Sequence, residues 1–182
     1  MSVGRLRLFV ALDLPAAARA ALAGFRDVAA DPALWRPLSE GMFHVTLAFL
    51  GSRPHEHVES VADVLRRLEP RDPPRLALAD ALLLPPRRAR VLTVALADHD
   101  GGLGALQAEL AAALAAAGVY EPESRPFRPH VTVARLRPGA HPPRSLPAQP
   151  EPLRFRAGPV MLYRSVLGHG GAVYEPLFAG PG

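Results

Sequence analysis

Hydrophobic and polar positions change period along this chain in short blocks, and the period assigns each block an element. Arg5–Leu12 alternates loosely and predicts a strand. Asp13-Leu14-Pro15 opens a helix running to about Ala30, with Asp13 or a neighbour as cap and Pro15 in its first turn. Met42–Leu50 predicts a second strand, stopped by Gly51. Val58, Val61, Ala62, Leu65 and Leu68 recur at helical spacing inside Pro54–Leu68, before Pro70, Pro73 and Pro74 break the pattern. Arg75–Leu84 and Ala89–Ala97 are strand-like runs separated by Pro85-Pro86. Gly102–Ala117 predicts a helix closed by Gly118, and Pro129–Arg137 a further strand. Six prolines mark Pro138–Pro152 as an exposed loop, after which Leu153–Arg156, Val160–Leu167 and Val173–Phe178 predict strands. The order βαβαββαβ followed by further strands, with no glycine-rich loop after the first, argues for an α+β fold rather than a doubly wound nucleotide-binding one.

One strand occurs twice. His44-Val45-Thr46-Leu47-Ala48-Phe49-Leu50 returns 86 residues later as His130-Val131-Thr132-Val133-Ala134-Arg135-Leu136, with five of seven positions identical. The chain has seven His, and its only threonine besides Thr46 and Thr132 is Thr93, so two His-x-Thr triplets in matching contexts imply an internal duplication. Residues i and i+2 share one face of a strand, so His44 points with Thr46, and His130 with Thr132. Two such halves facing each other form a cleft lined by two imidazoles and two hydroxyls.

Imidazole is the group of which one copy can be neutral and another charged near neutral pH, which suits a paired base and acid. The hydroxyls can hydrogen-bond non-bridging phosphate oxygens. No carboxylate-rich nest adjoins either motif, so the expected chemistry needs no metal and no cofactor. A strained five-membered cyclic phosphate fits that description, with positioning and charge stabilisation supplying most of the rate.

Composition adjusts this picture only slightly. Hydrophobic residues make up 49% of the 182 positions and charged ones 21%, a globular balance. Cysteine is absent, which excludes disulfides and thiolate metal sites. The net charge of +4 gives a mild field attractive to phosphates. Every basic residue is Arg, and Lys, Ile and Asn are missing, so a GC-rich coding bias accounts for much of the arginine. The five-residue apolar run after Arg7 is too short for a signal peptide, and the Ala-rich stretch is too short for a membrane span. A soluble, monomeric cytoplasmic protein is expected.

The duplicated strands resemble those of the 2H phosphoesterase superfamily. With Arg7-Leu8-Phe9-Val10-Ala11-Leu12-Asp13-Leu14-Pro15 and Arg125-Pro126-Phe127-Arg128-Pro129 they make the chain similar, end to end, to the bacterial RNA 2′,3′-cyclic phosphodiesterases, formerly called 2′-5′ RNA ligases. The resemblance implies one domain over residues 1–182, made of two interleaved lobes. Its fold would be bilobal α+β, with duplicated β-sheets about a pseudo-twofold axis, helices outside and a central cleft. It implies hydrolysis of RNA or nucleotide 2′,3′-cyclic phosphates to 2′-phosphates, with His44 as acid and His130 as base. Arg135 matches the family's phosphate-binding arginine, although strict alternation turns it away from His130 unless the strand ends or bulges before it or the long side chain curls round the edge. By pseudo-symmetry Phe49 would then reach the other end of the cleft and stack on a base, with Phe9 a second candidate. The alternatives are a non-catalytic RNA-end or nucleotide-binding module, and 2′-5′ RNA ligation as the reverse reaction.

Other residues carry weaker signals. His55-Glu56-His57 has the look of a metal pair but lacks a third ligand, and His99, His141 and His169 sit in turn-like contexts. Tyr163, Ser165 and Tyr174 lie on the C-terminal strands with a slight claim on the cleft.

Overall fold

The computed structural model describes residues 4–168 and 171–180. In chain order the elements are β1 (Arg5–Asp13), α1 (Ala16–Ala29), β2 (Trp35–Pro37), a 3₁₀ turn (Glu40–Met42), β3 (His44–Pro54), α2 (His57–Arg66), β4 (Arg75–Leu84), β5 (Val91–Asp98), α3 (Gly102–Ala116), β6 (His130–Leu136), β7 (Arg154–Arg156), β8 (Val160–Gly168) and β9 (Gly171–Ala179). The strands form one sheet in the order β7-β4-β5-β6-β3-β1-β8-β9, all of whose pairings are antiparallel, with β2 beside β6. The fold is therefore α+β, as the element order predicted.

The sheet consists of two halves. β1, β3, β8 and β9 belong to one, and β4, β5, β6 and β7 to the other. Between β3 and β6 the only in-register pair is Val45 with Val131. These are equivalent residues of the duplicated motif, so the pseudo-twofold axis runs through this pair. Antiparallel running then sets His44 alongside Thr132 and Thr46 alongside His130.

All three helices bury one stripe each. Leu103, Leu106, Leu110 and Leu114 of α3 recur on one face and are fully or almost fully buried. Ala18, Leu22, Phe25 and Ala29 do the same on α1, and Val61, Val64 and Leu65 on α2. These stripes share one core with Val45, Leu47, Val131 and Val133. Burying each large aliphatic side chain contributes about 1.5–3 kcal/mol. The helices thus cover one face of the sheet, which leaves the motif histidines on the other. No helix among the described residues is long and apolar enough to cross a membrane.

Several elements depart from the sequence pattern. Asp13 does not cap α1: it remains in β1, and Pro15 stands at the cap with no side-chain hydrogen bond. Gly51 does not stop β3, which runs on to Pro54 because Gly51 adopts φ +74° within the strand. β2 had no periodic signal, being three residues long and ending in proline. The proline-rich loop holds to its prediction, yet it is tied down: Gln149 Oε1 accepts the Ala81 N–H at 2.7 Å where β4 is irregular.

Candidate active site

Both motif strands bulge at the same place. Opposite β3, Ala11 pairs with Thr46 but Val10 with Ala48, so Leu47 is an extra residue. Opposite β6, Thr93 pairs with Thr132 but Leu92 with Ala134, so Val133 is extra. The burial of both strands records this, with Leu47 and Ala48 both buried, and Val133 and Ala134 likewise. Each bulge shifts the alternation by one residue. Phe49 therefore lies on the face of His44, 44% exposed, and Arg135 lies exposed on the face of His130. Arg135 is close enough for its charge to act on His44.

The two histidines are held alike. His44 Nδ1–H donates to the Met42 carbonyl at 2.8 Å, and His130 Nδ1–H to the Arg128 carbonyl at 2.7 Å. A carbonyl only accepts, so the proton must sit on Nδ1 in both rings. Each Nε2 is left to serve as acceptor when the ring is neutral and as donor when it is charged. Their backbones are diagonal neighbours across the strand pair, a relation that spans about 7–8 Å between Cα atoms in a regular ladder.

Their surroundings differ. Asp13 stands opposite His44 in β1, whereas Ala95 stands opposite His130 in β5. Asp13 accepts the Tyr163 hydroxyl at 2.7 Å. Burial and this bond to a carboxylate raise the Tyr163 pKa well above that of an ordinary phenol, so the hydroxyl remains a donor. Asp13 is also gripped by backbone: its N–H donates to Pro159 O at 3.0 Å, and its carbonyl accepts the Gly158 N–H at 2.8 Å. A Cβ on Gly158 would meet that carbonyl oxygen at 3.0 Å, so a side chain there would press on the Asp13 backbone. Burial lowers the His44 pKa below the usual histidine value. The Met42 hydrogen bond and Asp13 oppose the shift, while the positive charges of Arg135 and His130 add to it.

Aromatic rings floor the His44 side. Phe9, 4% exposed, lies 5.0 Å from His44 and 5.4 Å from Tyr163, nearly parallel to the latter, and meets Tyr174 edge-on at 4.9 Å. Tyr174 also abuts His44 edge-on at 5.2 Å. The expectation that Phe9 touches a base is corrected accordingly: its ring is covered by protein, and it supports the histidine from beneath. Phe49 is different, since its ring is open to solvent and carries the Arg7 guanidinium 4.8 Å from its centroid.

The model of the 2′-5′ RNA ligase superfamily matches residues 14–168 of this sequence. The chain belongs to that superfamily. It is 34% identical over 130 residues to the Escherichia coli RNA 2′,3′-cyclic phosphodiesterase, covering 71% of each chain. To the Thermus thermophilus protein of the same name it is 32% identical over 135 residues, covering 71% of this chain and 68% of that one. Among superfamily crystal structures, E. coli LigT complexed with 3′-AMP superposes with a TM-score of 0.81 at 29% identity, covering 96% of this chain and 97% of that one. LigT complexed with phosphate superposes at 0.76 with 27% identity, covering 97% and 96%.

Within this superfamily member, the residues outside the cleft remain scattered. His57 opens α2 with its Nδ1 buried and unpartnered, and no group of three or more His, Asp or Glu among the described residues could hold a metal ion. His99 lies in a bend, His141 lies in the proline-rich loop, and His169 is outside the described residues. The sequence missed the Asp13–Tyr163 pair. Its signal was the position of Asp13 at the end of β1, which reads equally well as a helix cap.

Proposed function

We propose that this chain hydrolyses 2′,3′-cyclic phosphate ends of RNA, or the corresponding cyclic nucleotides, to 2′-phosphates through a two-histidine acid–base step without a divalent metal. The observation that carries this is the pair of imidazoles, both with Nδ1–H anchored to backbone and both with Nε2 left over for chemistry, on either side of one pseudo-twofold strand pair. The family supports the substrate class, since the matched relatives are named RNA 2′,3′-cyclic phosphodiesterases.

In this mechanism neutral His130 Nε2 takes a proton from water as the water oxygen bonds to phosphorus. The P–O3′ bond breaks, and His44 Nε2–H gives its proton to the departing 3′ oxygen. Thr46, Thr132 and Arg135 hold the non-bridging oxygens, where charge accumulates in the transition state. Phe49 stacks on the base. The role of His44 as acid rests on the resemblance to the superfamily; burial lowers its pKa, and Asp13 opposes that lowering where only an alanine faces His130. An incoming phosphate anion acts in the same direction.

The test is turnover of 2′,3′-cyclic AMP in excess EDTA with the product identified by NMR. Undiminished formation of the 2′-phosphate is expected. Loss of activity on chelation with recovery on adding a metal, or nucleotide binding without turnover, would overturn the proposal.

A further inference from the structure

Beyond Phe49 the histidine face of β1 continues into arginine. Phe9, Arg7 and Arg5 follow one another at alternate positions, away from the paired histidines. Where β1 and β8 part, beyond the Arg7–Ser165 pair, a pocket of about 360 Å³ opens. Arg5, Arg7, Arg164, Ser52 and Ser165 line it, with Leu167, itself 78% exposed, at its mouth.

Three features make this pocket more than a charged surface. Arg5 and Arg7 have no carboxylate partner among the described residues. Arg5 is instead fixed to β3 by bonds to Ser52 Oγ at 3.1 Å and Ser52 O at 2.5 Å, and Arg7 is fixed on the Phe49 ring. Arg164 borders the pocket from the other face: it pairs with the core residue Leu8, so its side chain stands opposite to that of Arg7, beside Glu175 at 3.5 Å. The pocket also adjoins the Phe49 end of the histidine face, because Arg7 both lines the pocket and lies over the Phe49 ring. Four residues of strand separate Arg7 from the level of Thr46, roughly 13 Å. That is too far for the phosphate held between the histidines, and it lies in line with whatever continues past a base stacked on Phe49.

A 2′,3′-cyclic phosphate terminates its strand, so every other phosphate of an RNA substrate lies on the 5′ side of that terminal ribose. Fixed guanidiniums and hydroxyls beyond an aromatic platform provide what a flexible phosphodiester backbone needs. We infer that Arg5 and Arg7, on the histidine face of this pocket, form a subsite for the 5′-flanking phosphates of a single-stranded RNA. The chain therefore favours oligoribonucleotides over cyclic mononucleotides. This rests on the proposed phosphodiesterase function for its orientation, but not for its detection, since binding can be read without turnover.

The experiment compares wild type with Arg5→Gln, and with Arg164→Gln as a control on the opposite face of the sheet. Each receives 2′,3′-cyclic AMP and a trinucleotide ending in a 2′,3′-cyclic phosphate. In parallel, anisotropy measures binding of a labelled trinucleotide 2′-phosphate, with unlabelled 2′-AMP as competitor. Wild type should process and bind the trinucleotide roughly tenfold or more better than the mononucleotide, Arg5→Gln should lose roughly ten- to a hundredfold on the trinucleotide alone, and Arg164→Gln should lose little on either. The slope of log affinity against log salt should fall by about 0.7 per phosphate contact removed. Equal losses on both ligands, or no wild-type preference for the trinucleotide in binding, would overturn the subsite. If wild type turned over neither substrate, the proposed function would fail. Arginine-dependent trinucleotide binding would still uphold the subsite, and its absence would refute it.

Discussion

At the scale of single residues, the two histidines are matched in their own hydrogen bonds and distinguished by what faces them. Asp13 faces His44, and its charge supports the imidazolium there against burial. Asp13→Asn keeps an acceptor for Tyr163 but removes that charge, so the His44 pKa should fall further. If His44 is the acid, less of it is charged at any pH above its pKa. kcat/KM should then drop on the alkaline side of the pH profile and stay unchanged on the acidic side. A gain on the acidic side instead would make His44 the base. In the proposed mechanism Arg135 and Phe49 separate phosphate from base recognition. Arg135→Ala should cost all cyclic nucleotides about equally, roughly ten- to a hundredfold in kcat/KM, as loss of a charge-assisted hydrogen bond does. Phe49→Ala should chiefly raise KM, more for cyclic AMP than for cyclic CMP, because the purine offers the larger stacking face.

At the scale of elements, the bulges decide which side chains can meet. Strict alternation from His130 turns Arg135 into the core, and the same rule applied to Phe49 buries it. The apolar doublets Leu47-Ala48 and Val133-Ala134 were visible at equivalent positions in both motifs, and they are what a bulged strand looks like when it covers a core. Periodicity alone could not interpret them, because a doublet also fits a strand buried on both faces. β2 was invisible for another reason: its pairing with β6 is a tertiary contact, and a three-residue strand ending in proline has no local pattern of its own. Asp13 was misassigned because the residue preceding a Leu-Pro helix start has the chemistry of a cap, while here the backbone of Gly158 and Pro159 keeps it in the strand. The glycines offer a check on this level. Gly51→Ala forces a side chain into φ +74° where a Cβ has room, 3.9 Å from the Phe49 ring. It should destabilise by about 1–2 kcal/mol, lowering Tm by about 2–4 °C for each kcal/mol, with turnover retained. Gly158→Ala acts on the carbonyl of Asp13 instead, so it should impair kcat as well as lowering Tm.

At the scale of the whole molecule, the duplication carried most of what the sequence could tell. It located the paired histidines and the α+β class before any contact was known. It could not say how the halves join. They do so through a single strand pair between equivalent valines, which puts each histidine beside the threonine of the other motif. In the proposed mechanism the site therefore belongs to neither half alone, each half contributing one imidazole. The direct test is kcat/KM on 2′,3′-cyclic AMP for His44→Ala, His130→Ala and the double variant, each first shown by circular dichroism to be folded. The account predicts a loss of roughly 10²–10⁴ for each single variant, with the double variant hardly worse than the poorer single one. Activity within a few-fold of wild type in either single variant would contradict it.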